Sequence, residues 1–215
     1  MIALREAFRK AKVVVSCAGP FGVQGRHILD AAVAEGRHYL DIRGEIGSAQ
    51  RLIARDAQAR SRGVAVNGCV GFDVVVSDAA AVMACEALEG RPIWDVRLTV
   101  ASTTQPSRGS LRTLLGGLQS GDYEWTFADG RVVPAPVGAE RWAVSLPPPF
   151  ERCSATSFGL VEAVVSPRST ADDGEVRAVV VTGGDVGEVT AAAAAICVAR
   201  AAEANGLPSG FQTPA

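Results

Sequence analysis

The chain has 215 residues, 48% hydrophobic and 20% charged, with a net charge of −2. That length supports one or two domains with a sizeable core. The scattered Lys and Arg favour neither nucleic acid nor a membrane surface as a partner.

The N-terminus, MIALREAFRKAK, is charged and amphipathic and has no apolar signal-peptide core. Lys12–Cys17 is a β-branched run of the kind that forms a parallel strand buried on both faces. Gln24–Glu35 carries Ile28, Leu29, Ala32 and Val33 at helical spacing, and Gly36 ends it. His38–Ile42 is a second strand, Ser48–Arg62 a helix closed by Gly63, and Val64–Cys69 a third strand. This β-α-β-α-β order specifies a parallel sheet covered by helices. Asp73 or Ser77 is expected to cap a helix running to Leu88.

The pattern then changes. Ile93–Ser102 alternates as a longer strand, and Ser110–Leu118 is a short helix bounded by glycines. Ala128-Asp129-Gly130 joins Tyr123–Phe127 and Arg131–Val133 as a hairpin. Pro134–Phe150 is proline-rich and expected to be an extended surface loop. Val161–Val165 and Val176–Thr182 are expected strands, and Gly187–Ala204 a helix stopped by Asn205-Gly206 with Pro208 beyond. The Ala191–Ala195 run within that helix is too polar at its end to span a bilayer. The fold class is therefore α/β: a partial Rossmann-type parallel sheet over residues 1–88, followed by an α+β second domain over residues 89–215.

Cys17, Cys69, Cys85, Cys153 and Cys197 share no CxxC or metal-ligand spacing. Free thiols behaving as small hydrophobes in a reduced, cytoplasmic protein are expected. Cys17 and Ser16 lack a placed base, so a buried thiol is the reading for Cys17. Two histidines, His27 and His38, give no basis for a catalytic metal, and both read as structural. Asp41 and Glu45 at strand ends form a candidate acid–base pair, set against the plainer reading as capping or surface carboxylates. Trp94, Trp125 and Trp142 read as packing residues. Arg108 and Arg112 at a helix start are candidates for an anionic substrate, with solvated surface arginines as the default. Thr182–Gly187 (TGGDVG) between strand and helix is one glycine short of a dinucleotide turn. It reads as an ordinary turn, with a circularly permuted nucleotide unit as the alternative.

Val13–Glu45 (VVVSCAGPFGVQGRHILDAAVAEGRHYLDIRGE) resembles the saccharopine dehydrogenase-like reductases, including the bacterial trans-acting enoyl reductases. Their nucleotide domain carries an apolar strand ending in (S/N)-C-A-G-P-F, a helix, then H-Y-x-D and G-E. Gly71-Phe72-Asp73 with Ser77-Asp78, Ser107–Leu115 (SRGSLRTLL) and Gly210–Ala215 (GFQTPA) resemble further family motifs, in family order. The resemblance implies a Rossmann-type domain, NAD or NADP as cofactor, a small-molecule substrate and a second domain closing over it. It implies that Cys17, Ala18, Gly19, Pro20, Phe21 and Gly22 border the cofactor. Asp41, Gly44 and Glu45 then lie at the next strand end, and Gly71, Phe72 and Asp73 at the following turn. Ligands of open α/β sheets bind beyond the carboxyl ends of strands, which agrees with this placement.

The sequence also departs from the family. The family opens with strand–G-x-G-x-x-G–helix, whereas Met1 here falls in the helix before the CAGPF strand, so weak or no dinucleotide binding is expected of these residues alone. Val76 stands where the family has proline, and the family continues after GFQTPA. A Val13–Val15 strand without its first partners has a bare apolar edge. Either the chain is a piece of a longer product or another chain, such as a second copy, completes the sheet. A non-redox interaction module or cofactor-free enzyme on a degenerate reductase scaffold is the alternative function.

Overall fold

In the computed structural model, residues 2–22, 25–87, 97–101, 105–169, 186–203 and 207–213 are described. After helix α1 (Ile2–Phe8), strand β1 (Val13–Ser16) starts the parallel sheet. Helix α2 (Gly25–Ala34) leads to β2 (His38–Asp41), and α3 (Ile46–Ile53) and α4 (Asp56–Ser61) lead to β3 (Ala65–Asn67). Val14 pairs with Tyr39 and Leu40 with Asn67, all parallel. The chain is thus α/β with a partial Rossmann-type sheet.

The central strands β2 and β3 are buried almost throughout, whereas β1 alternates and leaves Val15 39% exposed. Leu29, Val33, Tyr39, Leu52, Val64 and Val66 form the main core with Val14. A fully buried leucine contributes roughly 2 kcal/mol through lost contact with water.

The expected Ser48–Arg62 helix is two helices. The chain kinks at Ala54–Arg55, where the Arg55 guanidinium grips Asp30 Oδ1 with hydrogen bonds of 2.9 and 2.7 Å. Helix α5 (Phe72–Ala87) follows β3. Asp73 lies in its first turn, but Ser77 lies inside the helix and does not cap it.

Residues 97–101 of the expected Ile93–Ser102 strand adopt no strand; the rest of that segment is outside the described residues. Helix α6 (Arg108–Ser120) is capped by Ser107, whose Oγ accepts from Ser110 N at 3.1 Å, and ends at left-handed Gly121. Strands β4 (Trp125–Ala128) and β5 (Arg131–Pro134) form the expected hairpin, with Asp129 and Gly130 both at positive φ as a tight antiparallel turn requires.

The Pro134–Phe150 loop expectation is corrected. Arg141–Ser145 is strand β6, antiparallel to β7 (Arg152–Thr156). Trp142 and Val144 alternate with more exposed neighbours, a period-two pattern that the surrounding prolines obscure. Val161–Val165 is likewise no strand: helix α7 (Glu162–Ser169) begins there. Val161, Val164 and Val165 are all buried at i, i+3 and i+4, which is helical spacing, and Glu162 suits the positive end of the helix.

Helix α8 (Val186–Ala202) packs on β1 and β2. The Val176–Thr182 strand and the Thr182–Asp185 part of the TGGDVG turn fall outside the described residues. The final strand, β8 (Gly210–Gln212), pairs parallel with β3, so the sheet order is β1-β2-β3-β8. Sequence division at residue 88 places GFQTPA in the second region, yet its strand returns to the first sheet. Asp56 Oδ1 fixes it by accepting from Phe211 N at 2.7 Å. Among the described residues, no helix is long and apolar enough to cross a membrane.

Candidate functional site at the carboxyl end of the sheet

Strand β1 stops at buried Ser16, and the chain turns outward. Cys17, Ala18, Gly19 and Pro20 are exposed, with a cis bond between Gly19 and Pro20. Cys17 is therefore not the buried thiol expected from its apolar neighbours, because the strand ends one residue before it. Gly22 is also exposed. Phe21 turns back inward, 6% exposed, and its N–H donates to Glu45 Oε1 at 3.3 Å.

Below this turn lies a buried polar knot. Asp41 accepts from Tyr39 Oη at 2.8 Å, Arg43 Nε at 2.6 Å and Cys69 N at 3.2 Å. Arg43 also donates to Ser48 O at 2.5 Å and Tyr39 Oη at 3.1 Å, and its guanidinium lies 5.4 Å from the Phe21 ring centre. Burial pulls the Arg43 pKa down, but the Asp41 charge and hydrogen bond outweigh it and the net shift is up. Burial raises the Tyr39 pKa, and the Asp41 charge adds to that. A side chain on Gly68 would collide with Leu52 Cδ1 at 2.0 Å, which explains a glycine beside this knot.

Glu45 is also inward, 6% exposed. It accepts from Gly44 N at 3.3 Å and lies 3.4 Å from Ser48 Oγ. The third segment closes the arc. A Cβ placed on Gly44 would lie 3.5 Å from Asp73 Oδ2, and one on Gly71 3.2 Å from Asp73 Oδ1. The Asp73 carboxyl thus sits between the two turns, and burial raises its pKa against the lowering effect of backbone N–H groups of Val74 and Asp73 itself. Phe72 and Asp73 also border a cavity of about 40 Å³ with Val76, Ser77, Ala80 and residues 98–101.

The structure therefore gathers Cys17–Gly22, Asp41, Gly44, Glu45 and Gly71–Asp73 at one end of the sheet. It divides them by role. The Cys17–Pro20 backbone faces outward, while the side chains of Phe21, Asp41 and Glu45 are spent inside, holding the turns in place. His38 is structural: its Nδ1 accepts from Ala65 N at 3.0 Å. Trp142 stacks under Arg97, with 5.7 Å between guanidinium and ring centre.

Sequence reasoning missed Arg43, Tyr123 and the Ser77–Glu162 contact. Arg43 was legible in principle, since Tyr39, Asp41 and Arg43 alternate along the strand direction and share a face. Tyr123 and Glu162 carried no local signal. Tyr123 lies 4.4 Å from the Phe158 ring, and burial with the nearby Glu45, Asp122 and Asp73 charges pushes its hydroxyl pKa up to about 12.

No family model matches the chain. Among curated proteins it is 29% identical over 150 residues to the "lipid droplet localized protein" of Caenorhabditis elegans, an alignment covering 67% of this chain and 35% of that protein. The chain thus spans about a third of that relative's length.

Proposed function

We propose that this chain belongs to an NAD(P)-dependent oxidoreductase of the saccharopine dehydrogenase-like kind, acting on a small-molecule substrate in the cytoplasm. The observation that carries the reading is the exposed Cys17–Pro20 backbone at the carboxyl end of a parallel sheet. A flat ring resting on this turn would meet main chain. A Cβ added at Gly19 would meet Phe21 Cε2 only at an ordinary 3.6 Å, so there is room for close approach. The cofactor, when bound, supplies hydride chemistry. The chain's own residues fix the platform: Glu45 holds Phe21 N, and Phe21 closes over Arg43. Among the described residues no G-x-G-x-x-G turn opens a helix, so the residues present fit the nicotinamide half and not the pyrophosphate.

Protein expressed from the complete gene, titrated with NADPH and NADH by fluorescence, tests this. Saturable micromolar binding, weakened by Gly19→Leu with the fold intact, is expected. No binding of either dinucleotide overturns the reading. Among the described residues no strand covers the outer edge of β1, and that edge is proposed to pair with another strand, from a second copy or from further chain.

One observation favours a second reading, association with a lipid surface. Leu111, Leu115 and Leu118 lie along α6 and are 42%, 59% and 45% exposed, beside exposed Arg108 and Arg112. An apolar stripe flanked by cations suits a lipid interface, and the Caenorhabditis elegans relative is described as lipid droplet localized. Flotation with neutral-lipid droplets coated in anionic phospholipid, lost in Leu115→Glu, supports it; flotation unchanged by Leu115→Glu, or none at all, excludes it.

A further inference from the structure

Ser77 Oγ lies 2.6 Å from Asp73 O and 2.6 Å from Glu162 Oε1. A serine hydroxyl has one proton to give. The carbonyl oxygens of Asp73 and of Val74, the latter 3.2 Å away, can only accept, so the single Ser77 proton faces several acceptors. With Glu162 ionised, one of the two 2.6 Å contacts is left without a proton; with Glu162 protonated, both are hydrogen bonds, Ser77 donating to Asp73 O and Glu162 to Ser77 Oγ. The surroundings of the carboxyl agree. Glu162 is 7% exposed, and its Oε2 is buried with no hydrogen-bond partner among the described residues, a state a carboxylate tolerates badly.

Among the described residues, the charges that bear on Glu162 are of one sign. Asp73 and Asp78 of α5 both oppose its ionisation, and Glu162 in turn bears on buried Cys69 at the end of β3. Cys85 and Glu86 lie at the far end of α5. Of the other elements packed on α7, β4 has no titratable side chain, and the one on α3, Arg51, is exposed and directed at Gly22 O.

Ser77 is also a wall of the 40 Å³ cavity, with Asp73, Thr99 and Val100. A water needs on the order of 10–15 Å³ by this measure, so the cavity takes a few waters or one carbonyl group. Thr99 Oγ1 is buried there with no partner among the described residues.

We propose that Glu162 is a stored proton, and that Ser77 relays it to a basic oxygen, an enolate or alkoxide of the substrate, lodged in the cavity lined by Asp73, Ser77 and Thr99. The Ser77 O–H turns from Asp73 O to the substrate oxygen and gives up its proton there, while the Glu162 O–H bond breaks and a new O–H bond forms at Ser77 Oγ. Glu162 is left as a carboxylate and is reprotonated from water. Glu162 is thus a positioning residue acting through Ser77. The substrate part rests on the reductase reading; the proton part does not.

Infrared spectroscopy of the full chain tests it. A protonated-carboxyl C=O band is expected at pH 6, lost in Glu162→Gln, and fading as the pH rises through about 7, where burial and the neighbouring acids place the Glu162 pKa. On transfer to D2O the band should shift as the acid exchanges, and Ser77→Ala should slow that exchange roughly tenfold or more. Absence of the band at pH 6, or its survival in Glu162→Gln, overturns the stored proton. Exchange unaffected by Ser77→Ala overturns the relay. If the band and relay hold but no dinucleotide binds, the reductase reading falls and the proton dyad stands.

Discussion

Arg43 Nε donates to Asp41 Oδ2 at 2.6 Å, and both side chains are buried. Two charges out of water persist only when every lone pair and N–H is matched, and here Tyr39 Oη, Ser48 O and Cys69 N complete the set. The knot ties the end of β2 to the start of α3 and to the turn after β3. It sets the spacing of the segments that border the exposed Cys17–Pro20 turn.

Removing one partner should therefore cost far more than removing both. Arg43→Ala is expected to lower the unfolding free energy by about 3–5 kcal/mol, because Asp41 is left charged and buried. The Asp41→Asn/Arg43→Met double variant should lose clearly less than the sum of the single variants. Urea denaturation of the four proteins checks this, and additive losses would show that the pair is not coupled.

Stability should fall as the pH rises from about 4.5 towards 7. Burial, reinforced by the charges of Asp73 and Asp78, raises the Glu162 pKa from 4.5 to about 7. Between those values the folded state holds a proton that the unfolded chain has released. The contribution is fully present below the unfolded pKa and is lost as the pH passes through the folded one, a change of about 3 kcal/mol. Asp73, also raised by burial, adds in the same direction. Thermal melts across this range should show a shallower slope in Glu162→Gln.

Two glycine substitutions should act in opposite directions. A Cβ on Gly159 would meet Trp125 O at 2.5 Å and Tyr123 O at 2.6 Å, both main chain and unable to swing aside. Gly159→Ala should destabilise by about 1–3 kcal/mol. Gly116 lies inside α6 with open space where its Cβ would be. Gly116→Ala should stabilise by about 0.5–1 kcal/mol through helix propensity. Chemical denaturation of both variants decides the matter.

The β1 edge supplies the fourth expectation. Val15 is 39% exposed on an edge strand. If that edge pairs between molecules, Val15→Lys should shift the protein towards monomer in sedimentation velocity at matched concentrations, since an edge lysine opposes strand addition. An unchanged distribution would remove edge pairing as a mode of association.

Periodicity and punctuation by themselves determined the β-α-β-α-β order, the helix ends at Gly36 and Gly63 and the Asp129-Gly130 turn. These depend on local forces: side-chain parity, capping hydrogen bonds and backbone freedom. The candidate segments Cys17–Gly22, Gly44–Glu45 and Gly71–Asp73 came from the family resemblance, and the parallel strand order brings them to one end of the sheet. Where the window was ambiguous the local signals misled. Val161–Val165 is too short an apolar run to tell strand from helix, and the prolines around Arg141–Ser145 hid a strand that only pairing with Arg152–Thr156 stabilises.

What faces the solvent at that carboxyl end was settled by tertiary structure alone. Asp41 and Glu45 look like free strand-end acids in sequence, but Arg43 and the Phe21 and Gly44 amides claim them. Gly210–Gln212 joins the first sheet because β3 offers an open edge and Asp56 an acceptor far away in sequence. Ser77 and Glu162 are 85 residues apart, and no local pattern links them. Their contact exists because α7 packs on α5, and burying that junction is what raises the Glu162 pKa.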